Sequence, residues 1–296
     1  MVDLRMALAL PFRPREKIID FDASDSSSCF TIGSIMYQSQ VSLVMDTICP
    51  WTYIAKTRLD QALAQVRADP ATSAAGVTFT LRFQPFLLDA SFADTEPDRA
   101  AWLLREEHMG NADIQRAHQA HMRALAERLG LPPLRFDGPT GNTLHAHRLI
   151  QLVQGSSSSS SDSDDDDDTS GNGNGVSGGV SGRGGGYGGP DAAARLVDGL
   201  FRRYFAEGAH PASEETLRDA LVRDAGLPEG EAARLVRDDR DEGLAELRRR
   251  AREVACDVDG VPTVVLEGRR RDLTLTGAKE VAEYVKALQT IIKESK

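Results

Sequence analysis

The sequence predicts a mixed α/β fold in which a strand–helix–strand half and a strand–strand–helix half are separated by a run of helices. An apolar run at 41–46, a helix start at Pro50 and an alternating stretch at 77–83 form the pattern of a βαβ unit. The chain closes with an apolar run at 261–266, a second short strand and a final helix. Between these halves, apolar residues recur with helical periodicity.

The first half is predicted element by element. VSLVMD at 41–46 reads as a buried strand, and Pro50 fits the first turn of a helix, where no backbone donor is needed. That helix is expected to continue to about Val66. Residues 70–76 contain Pro and Gly and break the chain. The stretch VTFTLRF at 77–83 alternates and is rich in β-branched and aromatic residues, which favours a strand.

The rest of the folded chain follows from periodicity and from Gly and Pro as breakers. We predict helices over 98–129 (interrupted near Gly110), 140–153, 191–207, 213–225 and 229–255. We predict strands at 261–266 and 272–275, and a last helix over 278–293.

Residues 155–190 have a different composition from the rest of the chain. They carry a Ser run, six Asp and many Gly, and they offer almost nothing to bury. Such a segment is expected to be a disordered loop and a solvated spacer, with phosphorylation among Ser156–Ser163 as the alternative. Residues 1–40 are taken as an N-terminal extension of uncertain structure, and 41–293 as one domain.

Composition excludes several classes of protein. The chain has 35 Lys and Arg against 45 Asp and Glu, a net charge of −10, and no dense basic run, so nucleic acid is not an expected partner. Its three cysteines are too few and too far apart for a disulfide framework or a zinc ribbon, which favours a reducing compartment. No apolar run reaches the roughly 18 residues of a membrane span. We therefore expect a cytoplasmic protein that binds no membrane.

The histidines suggest a metal only by their proximity in sequence. His118 and His121 are one helical turn apart, and His145 and His147 are close together. Zinc requires three or four converging ligands with supporting hydrogen bonds. We therefore predict no metal site.

Cys49 is the strongest candidate for chemistry. It lies between a predicted strand end and a predicted helix start, where unpaired backbone N–H groups and the helix dipole favour thiolate over thiol. We therefore expect a lowered pKa and a nucleophile. The alternative is a buried, inert cysteine that only caps the helix.

A second sequence feature, the Val-Pro-Thr segment late in the chain, makes the interpretation of Cys49 more specific. Gly260-Val261-Pro262-Thr263 opens a late strand, where Pro is tolerated and the X–Pro bond can be cis. Cys-Pro at an early helix start, together with Val-Pro-Thr before a late strand, resembles the DsbA-like branch of the thioredoxin superfamily, especially FrnE-like proteins. The family's active site reads Asp-x-x-Cys-Pro-Trp-Cys-Tyr, matched here by Asp46, Cys49, Pro50, Trp51 and Tyr53.

The resemblance covers about 41–154 and 190–293. It implies a thioredoxin-like fold with a helical insertion over about 98–255, between the βαβ half and the ββα half. It also implies that Pro262 is cis and faces the sulfur. By the same resemblance, the substrate is expected to contact Pro50, Trp51, Val261 and Thr263.

The sequence departs from the family at the second motif cysteine, which is Thr52. In a dithiol enzyme, that cysteine resolves the mixed disulfide formed by the first. Thr52 cannot do so, although its hydroxyl can donate a hydrogen bond to a thiolate. The expected function is therefore monothiol disulfide exchange by Cys49, Thr52 and Pro262, with no bound cofactor and with glutathione as co-substrate. The expected substrates are disulfides, glutathionylated proteins or small thiols.

Three alternatives remain open. Kappa-type glutathione transferases and chromene-carboxylate isomerases resemble this pattern but usually place Ser at the position of Cys49. A redox-inactive thioredoxin-like binding module would also tolerate Thr52. Cys256 is close in sequence to the Val-Pro-Thr loop and could resolve a mixed disulfide, but a buried structural cysteine at a helix end is the favoured interpretation. The oligomeric state is left open.

Overall fold

The computed structural model of the protein describes residues 37–155, 188–237 and 240–295. Within these residues, four strands form one mixed sheet in the order β2-β1-β3-β4. β1 pairs with β2 in parallel and with β3 antiparallel, and β3 pairs antiparallel with β4. The strands are β1 (Tyr37–Met45), β2 (Val77–Pro85), β3 (Thr263–Leu266) and β4 (Leu273–Thr276). The mixed α/β fold is thus confirmed.

Helices surround this sheet. They are α1 (Pro50–Ala68), α2 (Pro70–Ala74), α3 (Arg99–Glu106), α4 (Ala112–Arg128), α5 (Leu144–Gln154), α6 (Gly189–Arg202), α7 (Glu214–Ala220), α8 (Glu229–Arg237), α9 (Arg240–Asp257) and α10 (Val281–Glu294). Single π-helical turns follow α6 and α7 at Arg203–Glu207 and Leu221–Ala225. None of the described helices has the length and apolar character needed to cross a bilayer.

The helix α1 contacts both the ββα half of the fold and the helical region between the halves. It packs against α10, and Arg58 joins them through an ion pair with Glu280 and a hydrogen bond to the Ala278 carbonyl. On another side, the buried Lys56 ammonium contacts Asp198 of α6 at 2.6 Å. The start of α1, which holds Cys49, is therefore fixed by long-range contacts as well as by its own hydrogen bonds.

Several boundaries differ from the sequence prediction. β1 begins at Tyr37 rather than Val41, because the polar residues before Val41 still pair with β2. The predicted break at 70–76 contains a short helix, which the Asp69 carboxylate caps by accepting from the Ala71 amide. The predicted helix at 140–153 starts later, at Leu144, where the Asn142 side chain accepts its backbone N–H.

The other differences lie in the helical middle of the chain. The helix predicted over 229–255 corresponds to α8 and α9, and residues 238–239 between them lie outside the described residues. The predicted ends at 207 and 225 are close to the observed ones, but each is reached through a π-helical turn before a glycine of positive φ, at Gly208 and Gly226. The expected extension at 1–36 and the expected loop at 156–187 lie outside the described residues.

Candidate functional site

Cys49 is the N-cap residue of α1. β1 is an inner strand of the sheet and ends at Met45. A tight turn follows, and Cys49 takes an extended conformation just before the helix. Its carbonyl accepts from the backbone N–H of Thr52 at 3.1 Å and of Tyr53 at 3.3 Å. Pro50 occupies the first helical position, where a missing N–H costs nothing. The local sequence thus places the sulfur at the helix start, as predicted.

The loop before β3 lies beside this helix start. The Val261–Pro262 peptide bond is cis. The Pro262 carbonyl accepts from the Gly277 amide at 2.8 Å, and the Thr263 hydroxyl donates to the Gly260 carbonyl at 2.8 Å. Because Thr263 pairs with Val44 in the sheet, the loop is held next to the end of β1.

The two segments meet at a cavity of about 420 Å³. Four of the predicted site residues line it: Cys49, Pro50, Trp51 and Val261. Thr52, Pro262 and Thr263 are buried behind this surface and do not line the cavity. Thr52 lies next to the sulfur, whereas the Thr263 hydroxyl is used inside the loop. The roles predicted for these seven residues stay predictions.

The walls of the cavity come from helices and loops that the sequence motifs do not connect to the site. They are mainly apolar or aromatic: Leu88, Trp102, Leu103, Ile114, Phe136, Tyr204 and Phe205. Leu88 and Ile114 remain exposed at 43% and 47%. Arg99, Glu107, His108 and His118 add polar atoms. No local sequence signal marks these residues, because they come from several separate segments.

Burial decides the protonation state of Cys49. The side chain is 5% exposed, and desolvation raises its pKa from 9.0 to about 11. The Thr52 hydroxyl and the backbone N–H groups of Thr52 and Trp51 lower that pKa, while the Asp46 charge raises it. A helix N-terminus contributes about 0.3–1 kcal/mol, less than the roughly 2.7 kcal/mol of a two-unit shift. The predicted lowering of the pKa is therefore wrong: the resting group is a thiol.

The Thr52 hydroxyl lies next to the Cys49 sulfur and lowers the pKa of that thiol. Thr52 is fully buried, and its Oγ1 makes no well-aligned hydrogen bond within the described residues. It is close enough to Cys49 to favour the thiolate. A buried hydroxyl with no other hydrogen-bond partner forms its strongest hydrogen bond when the neighbouring sulfur becomes a thiolate.

Asp46 forms a buried polar cluster behind the thiol. Its Oδ2 accepts from the Leu88 amide at 2.8 Å and its Oδ1 from the Ile48 amide at 3.4 Å. The Nε2 atom of His147 lies 3.5 Å from Oδ1, and both side chains are 1% exposed. His147 therefore reaches the site from α5 through Asp46, which sequence proximity did not show.

The remaining histidines and cysteines have other positions. His118 and His121 lie against the Trp51 ring, with ring centroids 6.4 and 5.7 Å away, and burial and the neighbouring imidazoles lower the pKa of His118. Among the described residues, no three His, Cys, Asp or Glu side chains converge as metal ligands. Cys256 is exposed near the end of α9 and does not line the cavity, so its expected burial is wrong.

A mixed sheet, a cysteine at the start of the helix after its central strand and a cis-proline loop beside that cysteine define the thioredoxin-like fold. The family model of the DSBA-like thioredoxin domain matches residues 40–161 and 187–289. The chain belongs to this family. The resemblance seen in the sequence is thereby confirmed.

Solved structures support the fold. A probable DsbA oxidoreductase from Streptomyces coelicolor is 25% identical, with a TM-score of 0.60 over 86% of this chain and 91% of that one. A candidate protein disulfide isomerase from Nitrosomonas europaea is 15% identical, with a TM-score of 0.55 over 88% and 100%. A 2-hydroxychromene-2-carboxylate isomerase is 16% identical, with a TM-score of 0.50 over 86% and 96%. A search of curated proteins found no significant match.

Proposed function

We propose that the protein is a thiol–disulfide oxidoreductase of the monothiol type that works through Cys49 and uses glutathione as co-substrate. The observation that carries this proposal is the meeting of Cys49, at the start of α1, with Val261 of the cis-proline loop on one cavity. Family membership and the 25% identical oxidoreductase support redox chemistry. Thr52 in place of a second cysteine supports the monothiol form.

The chemistry takes two exchange steps. The Cys49 thiolate, formed by loss of its proton to solvent, attacks the glutathione sulfur of a glutathionylated substrate. The substrate leaves as a thiolate and takes up a proton, and Cys49 is left in a mixed disulfide with glutathione. A second glutathione thiolate attacks that mixed disulfide, which yields oxidised glutathione and returns the Cys49 thiolate. Each step breaks one S–S bond and forms one.

The residues around the sulfur have distinct proposed roles. The hydroxyl of Thr52 donates to the Cys49 thiolate, where a second cysteine would otherwise attack. The backbone of Val261 next to cis Pro262 pairs with the extended part of the substrate, and Thr263 fixes that loop through Gly260. Pro50 and Trp51 form the surface on which the substrate rests.

The raised pKa sets the conditions under which this cycle runs. With a pKa of about 11, only about one thiol in ten thousand is ionised at neutral pH. The empty site is therefore a weak nucleophile and resists casual oxidation. Substrate that brings polar or cationic groups into the cavity would favour the thiolate, so reaction and binding are coupled. A reducing, cytoplasmic environment with abundant glutathione suits this cycle.

A second candidate function is favoured by the cavity itself. A cavity of about 420 Å³ with apolar and aromatic walls is within the size range of small-molecule sites. A protonated thiol at its edge suits an enzyme in which bound glutathione, rather than the protein, supplies the reacting sulfur. This is a glutathione transferase or isomerase of the kappa type. In the third reading, a binding module without redox activity, the same thiol is only structural.

Glutathione-dependent reduction of a glutathionylated peptide tests the proposal. We expect wild type and Cys256→Ser to be active and Cys49→Ser to be inactive, because of the two cysteines in the described residues only Cys49 lines the cavity. Intact-mass analysis after treatment with oxidised glutathione should show that Cys49→Ser lacks an adduct that Cys256→Ser retains. Thr52→Cys should allow reduction of a peptide disulfide without glutathione, since it restores an internal resolving thiol.

The same variants separate the candidates. Full reductase activity in Cys49→Ser rejects the monothiol proposal. If Cys49→Ser keeps glutathione conjugation or isomerisation of an apolar electrophile, the transferase reading is correct. If wild type shows neither activity and Thr52→Cys gains none, the site is a binding module.

A further inference from the structure

A second cavity lies away from Cys49, and its character is polar. It has a volume of about 290 Å³ and shares no lining residue with the first. β2 forms one wall through Arg82 and Gln84, which are two residues apart and therefore on the same face of the strand. The helices α5 and α9 form the other walls, and α9 contributes Arg250.

Two guanidinium groups, those of Arg82 and Arg250, line this cavity and donate hydrogen bonds to neutral oxygens. Arg82 donates to the backbone carbonyl of Gly155, and Arg250 donates through Nε and Nη2, at 3.3 and 2.8 Å, to the amide oxygen of Gln84. Both acceptors are neutral. In the parts of the chain that the structure describes, no carboxylate forms an ion pair with either group. Burial and the charge of Arg250 lower the pKa of Arg82.

The one carboxylate that lines this cavity does not neutralise them. Glu246 of α9 has both oxygens engaged by Arg249, which binds them in a two-pronged ion pair through Nε and Nη2. The charge of Arg250 also helps to lower the pKa of Glu246, so the two side chains interact. Among the described residues, Arg82, Arg148 and Arg250 nevertheless outnumber this single lining carboxylate, and the cavity keeps a net positive charge.

We propose that this cavity, between β2 and the helices α5 and α9, is an oxyanion-binding site in which Arg82 and Arg250 hold a carboxylate or phosphate group. Arg250 already directs Nε and Nη2 to the same neutral oxygen of Gln84, and these two N–H groups can instead form two parallel hydrogen bonds with an oxyanion. Bringing an anion between the two cations removes their repulsion and satisfies donors that now bond neutral oxygens. The site is independent of the thiol chemistry at Cys49.

The oxyanion has two possible sources. One is a free small anion. The other is the chain's own acidic run, Asp164–Asp168, which follows Gly155 by nine residues in sequence, a reach of about 30 Å when extended. Both offer the same chemistry, so the experiment must separate them.

Calorimetric titration with inorganic phosphate, at constant ionic strength set with chloride, tests the site. The titrated proteins are wild type, Arg82→Gln, Arg250→Gln, the control Arg252→Gln, and a variant with Asp164–Asp168 changed to Asn. Arg252 is an exposed residue of α9 outside the cavity, so its variant removes the same charge from the same helix. We expect saturable binding that weakens at least tenfold in Arg82→Gln and Arg250→Gln but not in Arg252→Gln.

Each result decides the question. Binding by wild type that depends on Arg250 supports a free anion as the ligand. Binding that is found only when the Asp run is neutralised supports the site with the chain's own carboxylates as its occupant. No binding by either protein, or equal binding by Arg250→Gln and Arg252→Gln, overturns the proposal. Circular dichroism of Arg250→Gln, which leaves the Arg82–Gly155 contact intact, confirms that the tested variant is folded.

Discussion

The buried thiol of Cys49 should make part of the protein's stability depend on alkaline pH. Its pKa is raised from 9.0 to about 11 because burial disfavours the thiolate. Unfolding exposes the thiol and lets it ionise at its ordinary pKa. The free energy of unfolding that Cys49 contributes is therefore complete below pH 9 and is lost as the pH rises through 11.

The magnitude follows from the size of the shift. Two pKa units correspond to about 2.7 kcal/mol, of which roughly 2 kcal/mol is lost by about pH 10.5. Buried tyrosines also titrate in this range, since burial raises the pKa of Tyr53 and Tyr284 to about 12. The contribution of Cys49 must therefore be measured as a difference between wild type and Cys49→Ser, which keeps the tyrosines and removes the thiol.

Urea unfolding of both proteins at about pH 8 and about pH 10.5 gives that difference. We expect the stability advantage of wild type over Cys49→Ser to shrink by roughly 2 kcal/mol between the two pH values. Cys256→Ser serves as the control, because it removes a thiol that is exposed rather than buried in the folded protein. A pH-independent difference between wild type and Cys49→Ser would refute the reasoning, since the native thiol would then titrate like an unfolded one.

Three further predictions follow from the described contacts. Thr52→Val removes the hydroxyl that favours the thiolate, so the pH midpoint of Cys49 alkylation should rise by about 0.4–1 unit, measured by iodoacetamide labelling. Lys56→Met removes a buried ammonium that binds two aspartates, so urea unfolding should show a loss of about 1.5–3 kcal/mol. In thermal unfolding, Gly141→Ala should be destabilising because its Cβ would overlap a backbone carbonyl, whereas Gly230→Ala, with open space in α8, should be stabilising by about 0.5–1 kcal/mol.

The features that the sequence predicts well are those encoded locally. Proline at the start of α1 fixes the position of Cys49 relative to the helix. A Val-Pro-Thr sequence before a strand allows a cis bond, the family resemblance implies one at Pro262, and the structure has it. Strand register then brings the two segments together, because Val44 and Thr263 are paired neighbours in the sheet. A short motif is therefore enough to predict both halves of the candidate site.

The features that the sequence does not predict depend on packing between distant elements. Trp102 and Phe205 line the cavity from segments about a hundred residues apart, and no spacing rule joins them. The predicted direction of the Cys49 pKa shift is wrong for the same reason, because burial also depends on packing between distant elements. A helix N-terminus can be inferred from sequence, but the burial that outweighs it depends on the folded packing around the sulfur, and the charge of Asp46 raises the pKa further.

The burial of Cys49 is consistent with the presence of Thr52 at the position of the family's second motif cysteine. A dithiol enzyme tolerates a first thiol that is ionised in the empty site, because its partner thiol limits the lifetime of every mixed disulfide. With Thr52 in that position, an ionised and exposed sulfur would form mixed disulfides that the protein itself cannot release. A thiol that stays protonated until a ligand enters the cavity avoids this trap. The raised pKa of Cys49 therefore fits a cycle in which an external thiol such as glutathione resolves the intermediate.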